Sequence, residues 1–351
     1  MFFRIIAYLC ENYPYMIRYF EDIEIADRNS FHVRQRAARL AEFDRAEELP
    51  ELFARYTPQE WLALGGGNNI LFTRDVEPML IVPCDKRIEV IESNGDRTLV
   101  RAGAGVEWDD LVAWSVEREL WGIENLSLIP GKVGAAPVQN IGAYGAEAKD
   151  AIVSVELYEP ATGEFRTLSA AECHFGYRES IFKHEAKGRV IITSVCFELS
   201  HTPAPRLGYG DVMREVEARG GVSLRNIREA ICSIRRSKLP DTAVLGNAGS
   251  FFKNPIVENC VAKALLAKYP DMPTYPSGHE GMTKLAAGWL IDRAGMKGYR
   301  EGCVGVHDRQ ALVLVNLGGA TGGEVMELAR TVQQRVREAF GIDIDTEVNI
   351  L

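Results

Sequence analysis

Gly246 to Pro255 reads GNAGSFFKNP: small residues leading to one hydroxyl, then two phenylalanines, a lysine and an asparagine. Two readings fit Ser250. It is either a turn serine tying off a main-chain hydrogen bond ahead of a strand, or a hydroxyl that restricted backbone holds so that it can do chemistry. Arg178 follows Tyr177 in GYRESIFK; a guanidinium grips a carboxylate through two parallel donors, and the alternative is a surface arginine. Glu347 lies in the closing stretch IDIDTEVNIL, where Ile342, Ile344, Thr346, Val348 and Ile350 alternate with Asp343, Asp345, Glu347 and Asn349. That period predicts a strand over 342–351 with one apolar face. Its carboxylate row is an exposed edge unless it lines a cleft. Arg235, Arg236 and Lys238 crowd SIRRSKLPD, either answering a helix dipole or catching a phosphorylated ligand.

Two glycine-rich stretches complete the set. LGGGNN, Leu64 to Asn69, follows an apolar run. Without Cβ atoms, consecutive amides can face an anion at close range. The spacing is neither that of a P-loop nor the Rossmann fingerprint, and the GxG of RAGAGVEW reads as a turn. IPGKVGAAPVQNIGAYGAEAKD combines glycine, alanine and two prolines with few charges, unlike a flexible linker. It reads as buried irregular backbone whose main chain touches a ligand. Together the two stretches suggest a large cofactor with a diphosphate lying along main chain.

The elements that must position these residues alternate in type. Strands are predicted at FHV, RLAEF, MLIVP, RIEVIES and TLVRAGAG, the last two joined at Asn94-Gly95, a hairpin signal. A helix fits AEELPELFARY. Another fits WDDLVAWSVERELWG, with Gly122 as its stop. AIVSVELYEP, GEFRTLS and RVIITSVCFELS form a strand-rich middle, and HTPAPRLGYGD reads as a boundary loop. SLRNIREAICSIRRSK, capped by Ser223, and GGEVMELARTVQQRVREAFG, ending at Gly341, are amphipathic helices. No repeats or low-complexity tracts appear.

Composition sets the limits. The 351 residues allow two or three domains. A net charge of −9 disfavours nucleic acid and anionic membrane as partners. The seven cysteines are scattered without a CxxC pair, so neither a disulfide framework nor a zinc site is expected, and a reducing cytoplasm is. The apolar start MFFRIIAYLCENYPYMIRYF is interrupted by Arg4 and Glu11 and reads as a short extension rather than a signal peptide; Met16 is a plausible natural start. By residue chemistry alone this is an anion-handling, nucleotide-using enzyme whose reaction is open.

Taken in order, LGGGNNILF, ENLSLIPGKVGAAPVQNIGAYGAE, FGYRESIFK, SKLPD, GNAGSFFKNP, KLAAGWLID and EVNIL resemble the UDP-N-acetylenolpyruvoylglucosamine reductase family from Asn29 to the end of the chain. The glycine blocks alone point only to the wider FAD-binding fold of the vanillyl-alcohol-oxidase type; the later motifs make the match specific. GYGD around Tyr209 resembles the longer of two family forms. The resemblance implies an α+β architecture: an FAD-binding subdomain over 16–84 completed by 342–351, a second over 85–222, and an α+β substrate-binding domain over 223–341. Residues 1–15 form an extension without family counterpart.

It also implies a monomeric, cytoplasmic bacterial enzyme of peptidoglycan precursor synthesis, serving cell-wall biogenesis, shape and division. NADPH reduces bound FAD, and the enolpyruvyl ether of UDP-N-acetylglucosamine then takes hydride at C3 and a proton at C2. Ser250 matches the proton donor, and Arg178 and Glu347 the residues assisting it. Tyr177, Tyr209, Lys238, Asn254 and Gln310 match substrate positions. Gly65, Gly66, Gly67, Asn68 and Asn69 are expected around the FAD diphosphate. Ile129, Pro130, Gly131, Gly134 and Ala135 are expected along the rest of the cofactor, as are Gln139, Asn140, Gly142, Ala143 and Tyr144. Asn68 stands where the family usually has serine, and Lys132 replaces a small residue beside the expected flavin. The competing readings are another flavoenzyme of the same cofactor fold and a nucleotide-binding regulator without catalysis.

Overall fold

The computed structural model describes residues 17–351; the expectations for 1–15 lie outside the described residues. The chain is α+β and divides into two compact units, each assembled from separate stretches. The first takes residues up to 23, 37–66 and 77–237; the second takes 24–36, 67–76 and 238–351. The positions 84/85 and 222/223 both fall inside the first unit.

In the first unit a four-stranded sheet runs in the order Arg18–Glu24, Arg36–Phe43, Met79–Pro83, Trp61–Ala63. Met79–Pro83 pairs in parallel with both neighbours and is buried along its whole length, the mark of a central strand covered on both faces. Helix Leu49–Tyr56 follows with Pro50 in its first turn, where proline's missing N–H costs nothing. The second sheet is a five-stranded antiparallel array ordered Glu164–Ser169, Ile152–Glu159, Ile191–Ser200, Arg97–Gly103, Ile88–Asn94. The predicted hairpin is present, with its turn one residue later than Asn94-Gly95: Asn94 still pairs with Arg97, and Gly95 and Asp96 form the loop, Gly95 at φ +58°, a left-handed backbone suited to a two-residue turn.

Against this sheet lies a core built around Trp108, Val133, Ala136, Val155, Val195 and Phe197. The helix beginning at Trp108 ends at Glu117, short of Gly122. Glu119 at φ +57° has already turned the chain. Helix Leu224–Lys238 buries Leu224, Ile227, Ile231 and Ile234, and Ser223 caps it by accepting from Asn226 N at 3.1 Å.

The second unit holds helix Gly322–Phe340, with Thr321 and Glu324 closing a capping box and Gly341 at φ +68° ending it. Phe340 joins Tyr269 and Trp289 in an aromatic triangle with centroids 5.4–5.8 Å apart. Small sheets carry Ile256–Glu258, Met282–Leu285 and Thr274–Pro276, and Arg300–Glu301, Val304–Val306 and Leu314–Asn316. FHV is not a strand. His32 at φ +54° puts it in a turn, while Phe31 and Val33 are fully buried. The closing strand is regular only over Asn349–Ile350, paired in parallel with Ile70–Leu71. Burial still alternates as predicted, since Ile342, Ile344 and Val348 are buried. Among the described residues no helix is long and apolar enough to cross a membrane.

Candidate active site

In the first unit, strand Trp61–Ala63 delivers Leu64, buried with its amide on Ile81 O at 2.9 Å. Gly65 and Gly66 follow. A Cβ on Gly65 would stand 3.3 Å from Ala135 Cβ, so this loop and the second glycine-rich block lie in contact. Among the described residues, the amides of Gly65 and Gly66 donate to no acceptor. Two adjacent free amides against small side chains suit an anion.

The block itself is pinned by main chain: Trp108 N donates to Gly131 O at 2.8 Å, Val133 N to Val106 O at 2.8 Å and Gly134 N to Ala104 O at 3.1 Å. A Cβ on Gly134 would sit 2.6 Å from Ala104 Cβ, so only glycine lets these two segments approach. Val133 and Ala136 anchor the block in the core, while Ile129, Gly131, Ala135, Gln139, Gly142, Ala143 and Tyr144 keep partly exposed surface and Pro130 is exposed. In RAGAG only Ala104 and Gly105 turn, because Arg101 to Gly103 still belong to the strand, and the glycines serve close approach: Cβ atoms at Gly103 and Gly105 would meet Asp85 and Cys84 at 2.5 Å.

Asn140 connects this block to the GYRES turn. It is fully buried at φ +47°, a left-handed conformation that asparagine tolerates. Its amide donates to Gly176 O at 2.9 Å and Glu147 Oε2 at 3.1 Å, and its oxygen accepts from Lys149 N at 3.0 Å. Gly176 and Glu179 close the turn through reciprocal main-chain bonds of 2.9 and 3.3 Å. Tyr177 and Arg178 form its tip. Arg178 has φ +58°; its carbonyl accepts from Lys183 Nζ at 2.7 Å, and its Nη2 donates to Gly142 O at 2.9 Å. The guanidinium lies 5.3 Å from the Tyr177 ring. The structure thus brings Arg178 onto the block expected to hold the cofactor.

At the other end of the block, Tyr144 and the half-exposed Tyr209 meet edge to face at 5.9 Å. Burial raises the Tyr144 phenol above its ordinary pKa, with Arg235 pulling the other way. Arg235 donates Nε to Leu128 O at 3.1 Å. Burial lowers its pKa, opposed by Tyr144, Cys232 and Asp109. Its helix neighbour Arg228 forks Asp109 at 2.6 and 2.9 Å. Lys132 bridges to Glu107 through main chain; burial raises the Glu107 carboxyl, and the Lys132 charge holds that rise back. Sequence reading passes over Asn125, which is 2% exposed and donates to Tyr144 O and Arg206 O, both at 2.8 Å. Its only signal is a lone amide in ENLS directly ahead of the glycine-rich block.

In the second unit Ser250 follows Gly249 at φ +69°, with Asn247 Oδ1 accepting from Gly249 N at 2.9 Å. The stretch after it runs between two others. Phe251 N donates to Leu312 O at 2.7 Å, Glu347 N to Phe251 O at 2.8 Å and Lys253 N to Asp345 O at 2.9 Å. Phe251 and Phe252 are buried, and Ser250 and Glu347 are half-buried. Asn69 joins this group: its carbonyl accepts from Asn349 N at 3.0 Å and its Nδ2 donates to Glu347 O at 3.4 Å. Gly67, at φ +63°, accepts from Ser30 N at 3.2 Å, and Asn68 follows it. Asn254 Oδ1 accepts from Ala287 N at 2.9 Å at the start of helix Ala287–Arg293. Gln310 lies beside Gly288, its Oε1 3.4 Å from where a Cβ would stand. Lys238 is exposed at the end of its helix.

Comparison with known proteins follows this division. A family model described as FAD binding domain matches residues 42–169. One described as UDP-N-acetylenolpyruvoylglucosamine reductase, C-terminal domain, matches 240–351. The UDP-N-acetylenolpyruvoylglucosamine reductase of Chromobacterium violaceum is 49% identical, over 94% of this chain and 98% of its own. That of Burkholderia cenocepacia is 48% identical, over 93% and 95%. A solved UDP-N-acetylenolpyruvylglucosamine reductase from Thermus caldophilus superposes with a TM-score of 0.67 at 24% identity, covering 96% of this chain and 99% of that one. It is similar in fold.

Proposed function

The chain belongs to the UDP-N-acetylenolpyruvoylglucosamine reductase family, and from that premise we propose that it reduces the enolpyruvyl ether of UDP-N-acetylglucosamine to UDP-N-acetylmuramate, with NADPH as reductant, in cytoplasmic peptidoglycan precursor synthesis. The residues present fit FAD. Gly65 and Gly66 offer free amides beside Ala135, and Gly134 permits a closeness that a side chain would fill. These positions would hold the diphosphate and the adjoining cofactor. When bound, FAD supplies the two-electron chemistry, taking hydride from NADPH and giving it to C3 of the substrate.

The protein's own groups manage the charge and the proton. Hydride at C3 pushes an electron pair through C2 into the carboxylate, leaving an enolate-like dianion. Arg178, already oriented by Gly142 O, stabilises that growing charge. One such donor is typically worth about 3 kcal/mol. Ser250 then gives its proton to C2, completing the saturated lactyl ether. A hydroxyl is a weak acid, but beside a strongly basic carbon it needs only position. Glu347 acts by orienting Ser250 and its neighbours through hydrogen bonding. Tyr177, Tyr209, Lys238, Asn254 and Gln310 bind substrate, Asn254 through its amide hydrogens because its oxygen already accepts from Ala287 N.

The observation that best supports this reading is the bond from Glu347 N to Phe251 O, which pairs the stretch that carries a candidate carboxyl with the distant stretch that carries a candidate hydroxyl. An anaerobic titration tests it. NADPH should bleach the flavin of the purified protein, and the enolpyruvyl substrate should restore the colour with one product formed per flavin. Bleaching without reoxidation by this substrate would favour another flavoenzyme.

A further inference from the structure

Resting on the reading above, we infer that Asn125 is a positioning residue that clamps the Tyr209 loop to the cofactor bed, so that substrate affinity depends on one buried amide. Its Nδ2 has two hydrogens and uses both, one on Tyr144 O and one on Arg206 O, each at 2.8 Å. The two carbonyls belong to different parts of the site. Tyr144 belongs to the glycine-rich block, and Arg206 opens the loop that carries Tyr209. The Asn125 oxygen is enclosed and, among the described residues, has no partner. A buried unpaired acceptor is normally selected against. Its presence here fits a residue kept for its two donors.

The surroundings show what those donors hold. Tyr144 has φ +49°, uncommon for a bulky side chain and sustained only where neighbours over-determine it. The clamp on its carbonyl is one such constraint. Another is the packing of its ring against the cluster of Leu207, Val212, Leu224 and Ile231. On the loop side Arg206 reaches back: its Nη1 donates to Gly145 O at 3.3 Å and pairs with Asp150. Two residues further on, the Tyr209 ring meets that of Tyr144. Main chain, guanidinium and ring therefore fix the loop at three points, and Asn125 is the buried one.

Asn125→Asp keeps the shape and removes both amide donors; Arg206→Ala removes the solvent-side latch without touching the core. Each oxidised, FAD-loaded variant is titrated with the enolpyruvyl substrate, following the flavin absorbance shift for Kd, alongside steady-state kinetics. For Asn125→Asp we expect substrate Kd and KM to rise about tenfold, as for a lost buried hydrogen-bond pair, with kcat changing less than about threefold. Arg206→Ala should move KM the same way by a smaller factor. The double variant should fall short of the product of the two, because both act on one loop. If Asn125→Asp does not fold, Arg206→Ala decides: an unchanged substrate Kd overturns the inference. So does a folded Asn125→Asp that lowers kcat and Tm with KM unmoved, the pattern of a structural residue. A wild-type protein that ignores this substrate overturns the functional reading and the inference with it, whereas active wild type with unaffected variants sinks the inference alone.

Discussion

Glu347 and Ser250 stand on paired stretches of chain: the Glu347 amide donates to the carbonyl of Phe251, the residue after Ser250, at 2.8 Å. The pairing is backed on the far side by Leu312 O and below by buried Phe251 and Phe252. A hydroxyl set on so constrained a segment is suited to one directed proton transfer.

Ser250→Ala should therefore separate the two half-reactions. Flavin bleaching by NADPH should stay within about twofold of wild type, while reoxidation by substrate falls about 10²–10⁴-fold, the usual contribution of general acid catalysis. Stopped-flow absorbance of each half measures this. Equal losses in both halves would make the serine structural.

Arg178→Lys keeps the charge but loses the planar fork and the reach to Gly142 O. Turnover should drop about 10²-fold with FAD content unchanged. Steady-state rates beside the flavin-to-protein absorbance ratio give the comparison, and a wild-type rate would remove Arg178 from the chemistry.

Gly67→Ala should destabilise far more than Gly95→Ala. Both glycines have positive φ, +63° and +58°, but a Cβ on Gly67 would lie 2.1 Å from Arg28 O whereas one on Gly95 meets nothing within 4 Å. Strain alone costs about 1 kcal/mol at Gly95; the main-chain clash should bring Gly67→Ala to about 3 kcal/mol or more. Urea midpoints of the two variants test this, and similar midpoints would contradict it.

The second unit should lose stability in mild acid through His307. This ring is 7% exposed, its Nδ1 accepts from Arg309 N and Gln310 N at 3.3 and 3.2 Å, and burial lowers its pKa, with Asp308 opposing and Arg309 adding. The unfolded chain thus binds a proton more readily. The stabilisation is complete above about pH 6.5 and drains away as pH falls from there through the depressed folded value. His307→Asn retains an acceptor near Nδ1 and cannot titrate, so its Tm should fall less between pH 7.5 and 5.5. Parallel Tm curves for the two proteins would refute the assignment.

Much of this was legible in the sequence because it is local. The hairpin after Asn94, the helix stop at Gly341 and the alternation of Ile342, Ile344 and Val348 depend on near neighbours. The misread elements depend on distant ones. Residues 342–348 are extended but bond to Phe251 and Lys253 irregularly, so only Asn349–Ile350 forms a ladder. Left-handed Glu119 turns the chain ahead of Gly122, and no residue pattern marks it. Nothing local announces that Ile70 pairs with Asn349, or that one Asn125 amide reaches both Tyr144 and Arg206.

The second unit gathers 24–36, 67–76 and 238–351, which has a consequence for biosynthesis. At roughly 5–20 residues per second, the ribosome exposes Phe31, Val33, Leu71 and Phe72 at least about ten seconds before the stretches that bury them. These early greasy segments must be shielded meanwhile, by a chaperone or by provisional collapse. Fusing a slow-translating sequence between 77 and 237 should lengthen that wait and lower the soluble yield, even with every side chain intact.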